Sequence, residues 1–474
     1  MSSSIRSVSP TSTAEYEDHE PFETFKDKVP KLCHLLWPSY DPEDFRIERM
    51  KGGFSNRVIG IHVREKPATA SEEPEVAPEP PPASQIKNTE EVDTEPSEEN
   101  PAASKENFIP SKQDPTPSRD SLPPGDYVLR IPRFQSANLD YDKRILDLAS
   151  SYTKFGIPRV VAMDEDPSTT NPIGQPYILQ IRLPGQRLVD IWSELNQQQR
   201  LLVAKQVAAF SLDIQKATNP TGCLPDFENT ETSAKVIPTK DFKFVGDAEG
   251  FEKPIESQHP VEMLCERLLR WHKKYSGPGF GDGPWLGLIE MVKSMQALNG
   301  TFGPDTPIYY FHHGDLFPRN IMVDTPDEKT AIVTGILDWD DAHFAPAVVA
   351  FAPPAWLWVE GYWSADLEEY IDEERIWAYA QKTPENDEAK ELKDVFEKIV
   401  GTEFLQYAYS TDACEARKIW SSAKQRIGRS WVVDELSKML AAWRSGKGRE
   451  NGDVKDEPTT PIDPTCIEDK KFSP

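Results

Sequence analysis

Phe311–Asp324, FHHGDLFPRNIMVD, read together with Ile336–Asp341, ILDWDD, decides how the rest of the chain is interpreted. His313, Asp315 and Asn320 make H-x-D with an asparagine five residues beyond the aspartate. The apolar run Ile321 to Val323 predicts a strand, polar residues from Asp324 to Thr330 a turn, and Ala331 to Leu337 a second strand that delivers Asp338. An aspartate beside a glycine is, taken alone, commonly just a turn. The joint spacing says more, because it sets two carboxylates and a carboxamide at the ends of one β-hairpin. Phosphoryl transfer needs such a set: one carboxylate takes the proton of an attacking hydroxyl, while the amide and the other carboxylate hold Mg²⁺ on ATP phosphates.

At these residues the sequence resembles the aminoglycoside phosphotransferase family, the kinase-like small-molecule kinases. The resemblance implies an α+β, two-lobed protein-kinase-like fold, with a small lobe of antiparallel sheet plus helix and a large, mostly helical lobe. It further implies Asp315 as the catalytic base, His313 as support for the loop, and Asn320 and Asp338 as Mg²⁺ ligands. Gly314 stands where regulated protein kinases carry Arg, and no A-P-E follows Asp338. Both absences argue for a small-molecule acceptor rather than a protein. Trp339 takes the place of the aromatic behind the metal aspartate. Asp340 is a candidate for a further metal or substrate contact, with a solvated turn as the alternative.

Working back from the hairpin, Lys51–Asn56, KGGFSN, reads as a tight turn before the strand Val58 to Val63. Gly52, Gly53, Ser55 and Asn56 would let backbone N–H groups lie over a triphosphate, although such a turn is also an ordinary hairpin tip. The family has a similar G-G-x-S-N here, which implies a nucleotide-binding role. Arg130, in the strand Tyr127–Ile131, sits where kinase folds carry the phosphate-binding lysine. On the following helix Asp142 occupies the position of the glutamate that pairs with that cation, one methylene shorter and so expected to pair more loosely. By the same resemblance the backbone at Gln180 and Ile181, with Arg182, is the hinge for an adenine edge, walled by Val58 and Leu129. Nearer the N-terminus, Phe22, Phe25, Val29, Leu32 and Leu36 predict an amphipathic helix packed on the small lobe, kinked at Pro30.

Composition divides the chain. Residues 1–20 are Ser/Thr-rich and 446–474 polar, and both read as disordered. The small ATP-binding lobe spans 21–183 and the large lobe 184–445, with the catalytic hairpin at 311–341. The small lobe is interrupted at 65–124 by a Pro/Glu-rich acidic segment too poor in apolar residues to fold, read as a loop between neighbouring strands and a site where a protein partner would dock. An interdomain linker is the alternative. A formal net charge of −26 argues against nucleic acid or an anionic membrane as partner, and five scattered cysteines without C-x-x-C argue for a reduced, cytoplasmic setting. Seven tryptophans between Trp356 and Trp443 read as helix packing or as a cage for a quaternary amine. The predicted activity is transfer of the γ-phosphoryl group of ATP to a hydroxyl of a small molecule. A non-catalytic, pseudokinase-like scaffold is the alternative, and a protein kinase a more remote one.

Overall fold

The computed structural model describes residues 22–50, 56–66, 122–133, 138–166, 170–228, 236–242, 255–275, 283–359, 380–424 and 430–450. The first sheet is antiparallel, built from β1 (Phe45–Arg49), β2 (Asn56–Val63), β3 (Gly125–Pro132), β4 (Val160–Asp164) and β5 (Tyr177–Ile181), in the order β1-β2-β3-β5-β4. Val63 is the register partner of Gly125, so the chain leaves the sheet at the end of β2 and re-enters beside the same point. Period-two alternation puts Ile59, Ile61, Tyr127, Leu129 and Ile131 on one buried face. Helix α1 (Lys28–Leu36) covers that face with Val29, Leu32 and Leu36, joined by Phe25 and Trp37. Pro30 does not kink it. It lies in the first turn, where a missing N–H costs no helical hydrogen bond.

Helix α2 (Leu139–Tyr152) begins at Asn138, whose side chain accepts the Tyr141 amide, and turns Ile145, Leu146 and Ala149 into the core of the second lobe. That core is organised around α4 (Gln197–Ile214), which follows the short helix α3 (Leu188–Ile191). A reciprocal Asn196–Gln199 capping box starts α4. Helices α5 (Pro260–Tyr275), α6 (Trp285–Asn299), α7 (Ala347–Ala350), α8 (Asp387–Ala408), α9 (Thr411–Lys424) and α10 (Ser430–Glu450) complete the helical part. Trp356, Trp358 and Trp420 are buried in this core, which agrees with the packing reading of the tryptophans. Trp363 and Trp377 lie outside the described residues.

Two small sheets frame the centre. In one, β10 (Tyr309–His312) runs between β7 (Thr218–Asn219) and β13 (His343–Ala345); in the other, β11 (Ile321–Asp327) runs between β6 (Gln186–Arg187) and β12 (Thr330–Ile336). The loop 313–320 and the turn 337–342 therefore leave neighbouring strand ends side by side. Gly185, at φ +91, is where the interlobe connection meets β11: a Cβ there would lie 2.4 Å from the Val323 carbonyl oxygen, a contact only glycine avoids. Among the described residues, no helix is long and apolar enough to cross a membrane.

Candidate active site

The loop between β10 and β11 is stapled by its own side chains. His313 is 2 % exposed, and burial pushes its imidazole down to about 4. Neutral, it accepts the Asp315 amide on Nδ1 at 3.1 Å and donates from Nε2 to the Leu337 carbonyl at 2.9 Å. One ring thus ties the loop carrying Asp315 to the strand end carrying Asp338. Asn320 closes the arrangement by donating from Nδ2 to Asp315 Oδ2 at 2.8 Å and to the Asp315 carbonyl at 2.9 Å, while its own carbonyl accepts Leu337 N–H at 2.7 Å. With Nδ2 committed to Asp315, the amide oxygen of Asn320 takes no part in that bond.

Gly314 has a steric reason. It sits at φ +85, and a Cβ would meet the Asp341 carbonyl oxygen at 2.5 Å. An arginine at this point is therefore excluded by the backbone, whatever its regulatory meaning elsewhere. Asp338 itself adopts φ +62, an unusual conformation for a residue with a Cβ. Burial, then the neighbouring Asp340 charge, push its carboxyl up to about 6, against the pull of Arg130 and Arg319. Asp315 is likewise raised by burial, with Arg319 and Asn320 opposing.

Arg319 is a residue that sequence reading missed. Its Nη2 ion-pairs with Asp315 Oδ1, and its guanidinium lies 4.7 Å from the Phe317 ring centroid. The signal was present as an arginine four residues after the aspartate, but H-x-D followed by Asn gives that position no role.

Asp340 is the second surprise. Arg130 Nη2 sits 3.0 Å from both of its carboxylate oxygens, and Asn56 Nδ2 is 3.5 Å from Oδ2. The turn after the hairpin thereby reaches across to β2 and β3. Asp142, the expected partner of Arg130, feels that charge but is pushed up to about 7, by burial first and then by Asp340. The carboxylate nearest the cation wins, and Asp142 is left favouring its neutral form.

Two amides of the expected hinge are bonded within the sheet. The Ile181 amide donates to the Arg159 carbonyl at 3.0 Å and the Arg182 amide to the Asp126 carbonyl at 2.9 Å. β5 is central, paired on both sides, so the Ile181 and Arg182 amides are already engaged. Gln180 does carry a buried Nε2 without a partner. Leu129 is not a wall of the cleft either: it faces the α1 core, whereas Val58, register partner of Arg130, and Val128 take the other face. Gly52, Gly53 and Ser55 lie outside the described residues.

A metal can be tested against this donor set. Among the described residues no group of three or more His, Cys, Asp or Glu side chains forms a metal cage. Asn320 and Asp338 supply an amide oxygen and a carboxylate, the sparse hard-oxygen set that Mg²⁺ uses when waters and phosphates complete its shell. Burial and the Asp340 charge raise the proton affinity of Asp338, and a divalent cation would relieve that repulsion, so the site fits one.

The sequence matches the phosphotransferase enzyme family (APH) over residues 108–384, more than half of the chain. The chain belongs to this family. No curated protein matches it in sequence. Among solved structures, the GDP complex of wild-type aminoglycoside 2'-phosphotransferase-IIIa is 15% identical, covering 89% of this chain and 99% of its own, at a TM-score of 0.41. An ethanolamine kinase of Plasmodium vivax is 11% identical, covering 91% and 98%, at 0.37. A choline kinase of Cryptosporidium parvum Iowa II is 10% identical, covering 90% and 97%, at 0.36. In this APH member the loop of His313, Asp315 and Asn320 faces the Asp338 turn.

Proposed function

We propose that this APH-family chain transfers the γ-phosphoryl group of ATP to a hydroxyl of a small molecule. The observation that carries the reading is the closed hydrogen-bond circuit His313–Leu337–Asn320–Asp315, which holds one carboxylate beside the position of a second, Asp338. Asp315 orients the acceptor hydroxyl and takes its proton; its raised proton affinity suits a base. Asn320 and Asp338 would hold Mg²⁺, which when bound neutralises charge on the phosphates. Arg130, reached from the sheet, neutralises phosphate charge once it exchanges Asp340 for the nucleotide, and Asn56 stands at the same edge. Arg319 keeps Asp315 ionised and aimed.

One observation favours the non-catalytic alternative, namely that Arg130 is already engaged by Asp340. Calorimetric titration of Mg·ATP into the wild type and into Asp338→Ala separates the two. Binding that needs metal and is lost in Asp338→Ala supports the phosphotransferase. Nucleotide affinity that is equal in both proteins sinks it. Asp315→Asn is expected to keep nucleotide binding and lose turnover by roughly 10²–10⁴-fold, the contribution of a positioned general base.

A further inference from the structure

The face of the first sheet turned away from α1 carries an apolar strip that ends on a buried amide. Val58 and Arg130 are register partners, as are Gly60 and Val128 one row along, and Val128 pairs in turn with Gln180 on β5. Leu179 and Ile181, on either side of Gln180 in the strand, pack in the α1 core. Alternation therefore turns Gln180 to the face that holds Arg130, Val58 and Val128. Gln180 is 3% exposed, and its Nε2 has no hydrogen-bond partner. A buried donor left open forfeits the bond it made with water, and a native fold rarely keeps one.

The strip suits a flat ring. Val58 and Val128 are half-buried and branched, and between them Gly60 adds no side chain of its own. The stem of Glu48 occupies that space: a Cβ on Gly60 would meet Glu48 Cγ at 2.8 Å. Arg182 Nη1 donates to Glu48 Oε1 at 2.6 Å, so the two charged heads satisfy each other. Arg130 thus bounds the strip at one end, the Glu48–Arg182 pair at the other, and the Gln180 carboxamide along the β5 side.

Gln180 lies one strand over and two residues along from Arg130, a Cα separation of roughly 8 Å at ordinary strand spacings. With phosphates at Arg130 and Asn56, a ribose spans that gap and the base lies on the strip with one edge toward Gln180. A carboxamide does not treat the purines alike. Its carbonyl accepts from the 6-amino group of adenine while its NH₂ donates to N7, both bonds at once. Guanine offers two acceptors on that edge, O6 and N7, which leaves the amide oxygen facing another acceptor. The last torsion of a glutamine is broad, so the amide aligns without any movement of β5.

We propose that the Gln180 side chain reads the base of the bound nucleotide, pairing with the 6-amino group and N7 of adenine, and so makes the chain select ATP over GTP. This rests on the phosphotransferase reading and assigns the nucleotide specificity of that site to one residue. The open Nε2 then has its partner only in the complex.

The test measures binding to the full chain by calorimetry at saturating Mg²⁺. The probes are ATP, GTP and 7-deaza-ATP, in which a C–H replaces N7 and the 6-amino group is kept. The wild type is expected to bind ATP about 5-fold or more tighter than either analogue. In Gln180→Leu and in Gln180→Met, ATP and 7-deaza-ATP should bind equally. Both variants replace an open buried donor by apolar atoms, so the melting temperature should not fall. Four results overturn the proposal: equal binding of ATP and 7-deaza-ATP to the wild type, GTP bound more tightly than ATP, a preference for ATP over 7-deaza-ATP that survives in either variant, or no binding of any probe. Release of labelled γ-phosphate from ATP, to water or to added hydroxyl acceptors, is measured separately. Binding that depends on N7 without any transfer defeats the catalytic reading and leaves the role of Gln180 standing. Transfer from a chain that binds ATP and 7-deaza-ATP alike does the reverse.

Discussion

Asp340→Asn tests whether Arg130 is a phosphate ligand held in reserve. The Arg130 Nη2 group lies 3.0 Å from both Asp340 oxygens, with the two side chains 15% and 37% exposed. At an effective dielectric of 20 the Coulomb attraction at ~4 Å is about 4 kcal/mol, before either group's desolvation is counted. Fully exposed pairs retain at most ~1 kcal/mol, while hydrogen bonds to charged groups are worth about 1.5–3. For this half-exposed pair we take about 1–2 kcal/mol, the free energy a phosphate must displace to recruit the guanidinium. Removing it is expected to tighten Mg·ATP binding by roughly 5–30-fold, measured calorimetrically at saturating Mg²⁺ so that altered metal affinity at Asp338 does not contribute. Loss of negative charge near a polyanion would also raise affinity without involving Arg130. The Arg130→Met background separates the two: there the Asp340→Asn gain should vanish, and coupling of at least 1 kcal/mol should appear in the double-mutant cycle. An unchanged affinity, or an equal gain in both backgrounds, refutes the assignment of Arg130.

Two further predictions concern stability. Deleting residues 68–121 should leave the fold intact and raise its stability by up to about 2 kcal/mol, because closure entropy falls as the loop between the paired residues Val63 and Gly125 shortens; a drop in melting temperature beyond ~5 °C would mean that the segment packs on the lobe. Glu415 is pushed up to about 7, by burial first and then by Asp412, from a value of 4.5. The folded state then holds a proton that the unfolded state has released, so stability declines as pH rises through the window from 4.5 to 7. Glu415→Gln should equal the wild type in denaturant titrations at pH ~4 and exceed it by about 1–2 kcal/mol at pH ~8, after discounting for partial exposure. A difference that stays constant with pH contradicts this.

The geometry of the 313–320 loop was legible because its contacts are local. His313, Asp315 and Asn320 fall within eight residues, and their mutual hydrogen bonds span at most five. The hairpin that brings Asp338 back follows from strand alternation and a polar turn. The sheet edge was less legible for an opposite reason. Arg130 and Asp340 are separated by 210 positions, and nothing in either local pattern says that one will meet the other rather than Asp142. The choice between Asp142 and Asp340 is settled by burial: Asp142 stands on a helix whose apolar face is drawn into the other lobe, where its charge is disfavoured. Such an outcome depends on packing, which periodicity does not encode. The Leu129 error was avoidable. Tyr127, Leu129 and Ile131 alternate with Val128 and Arg130, so the face that carries Arg130 cannot also carry Leu129.

Gly314 carries a more general point about motifs. Its departure from the protein-kinase pattern reads, in sequence, as the loss of a charged partner for a phosphorylated loop. In the fold the same residue is where two backbones touch, at φ +85 with the Asp341 carbonyl 2.5 Å from any Cβ. The close approach is what lets His313 reach Leu337 and so fixes Asp338 opposite Asp315. A side chain at 314 would have to push the 337–342 turn away, at a cost of order 1–3 kcal/mol in backbone strain alone. It would also open the circuit on which the proposed chemistry depends. The glycine is therefore a condition for the site's geometry.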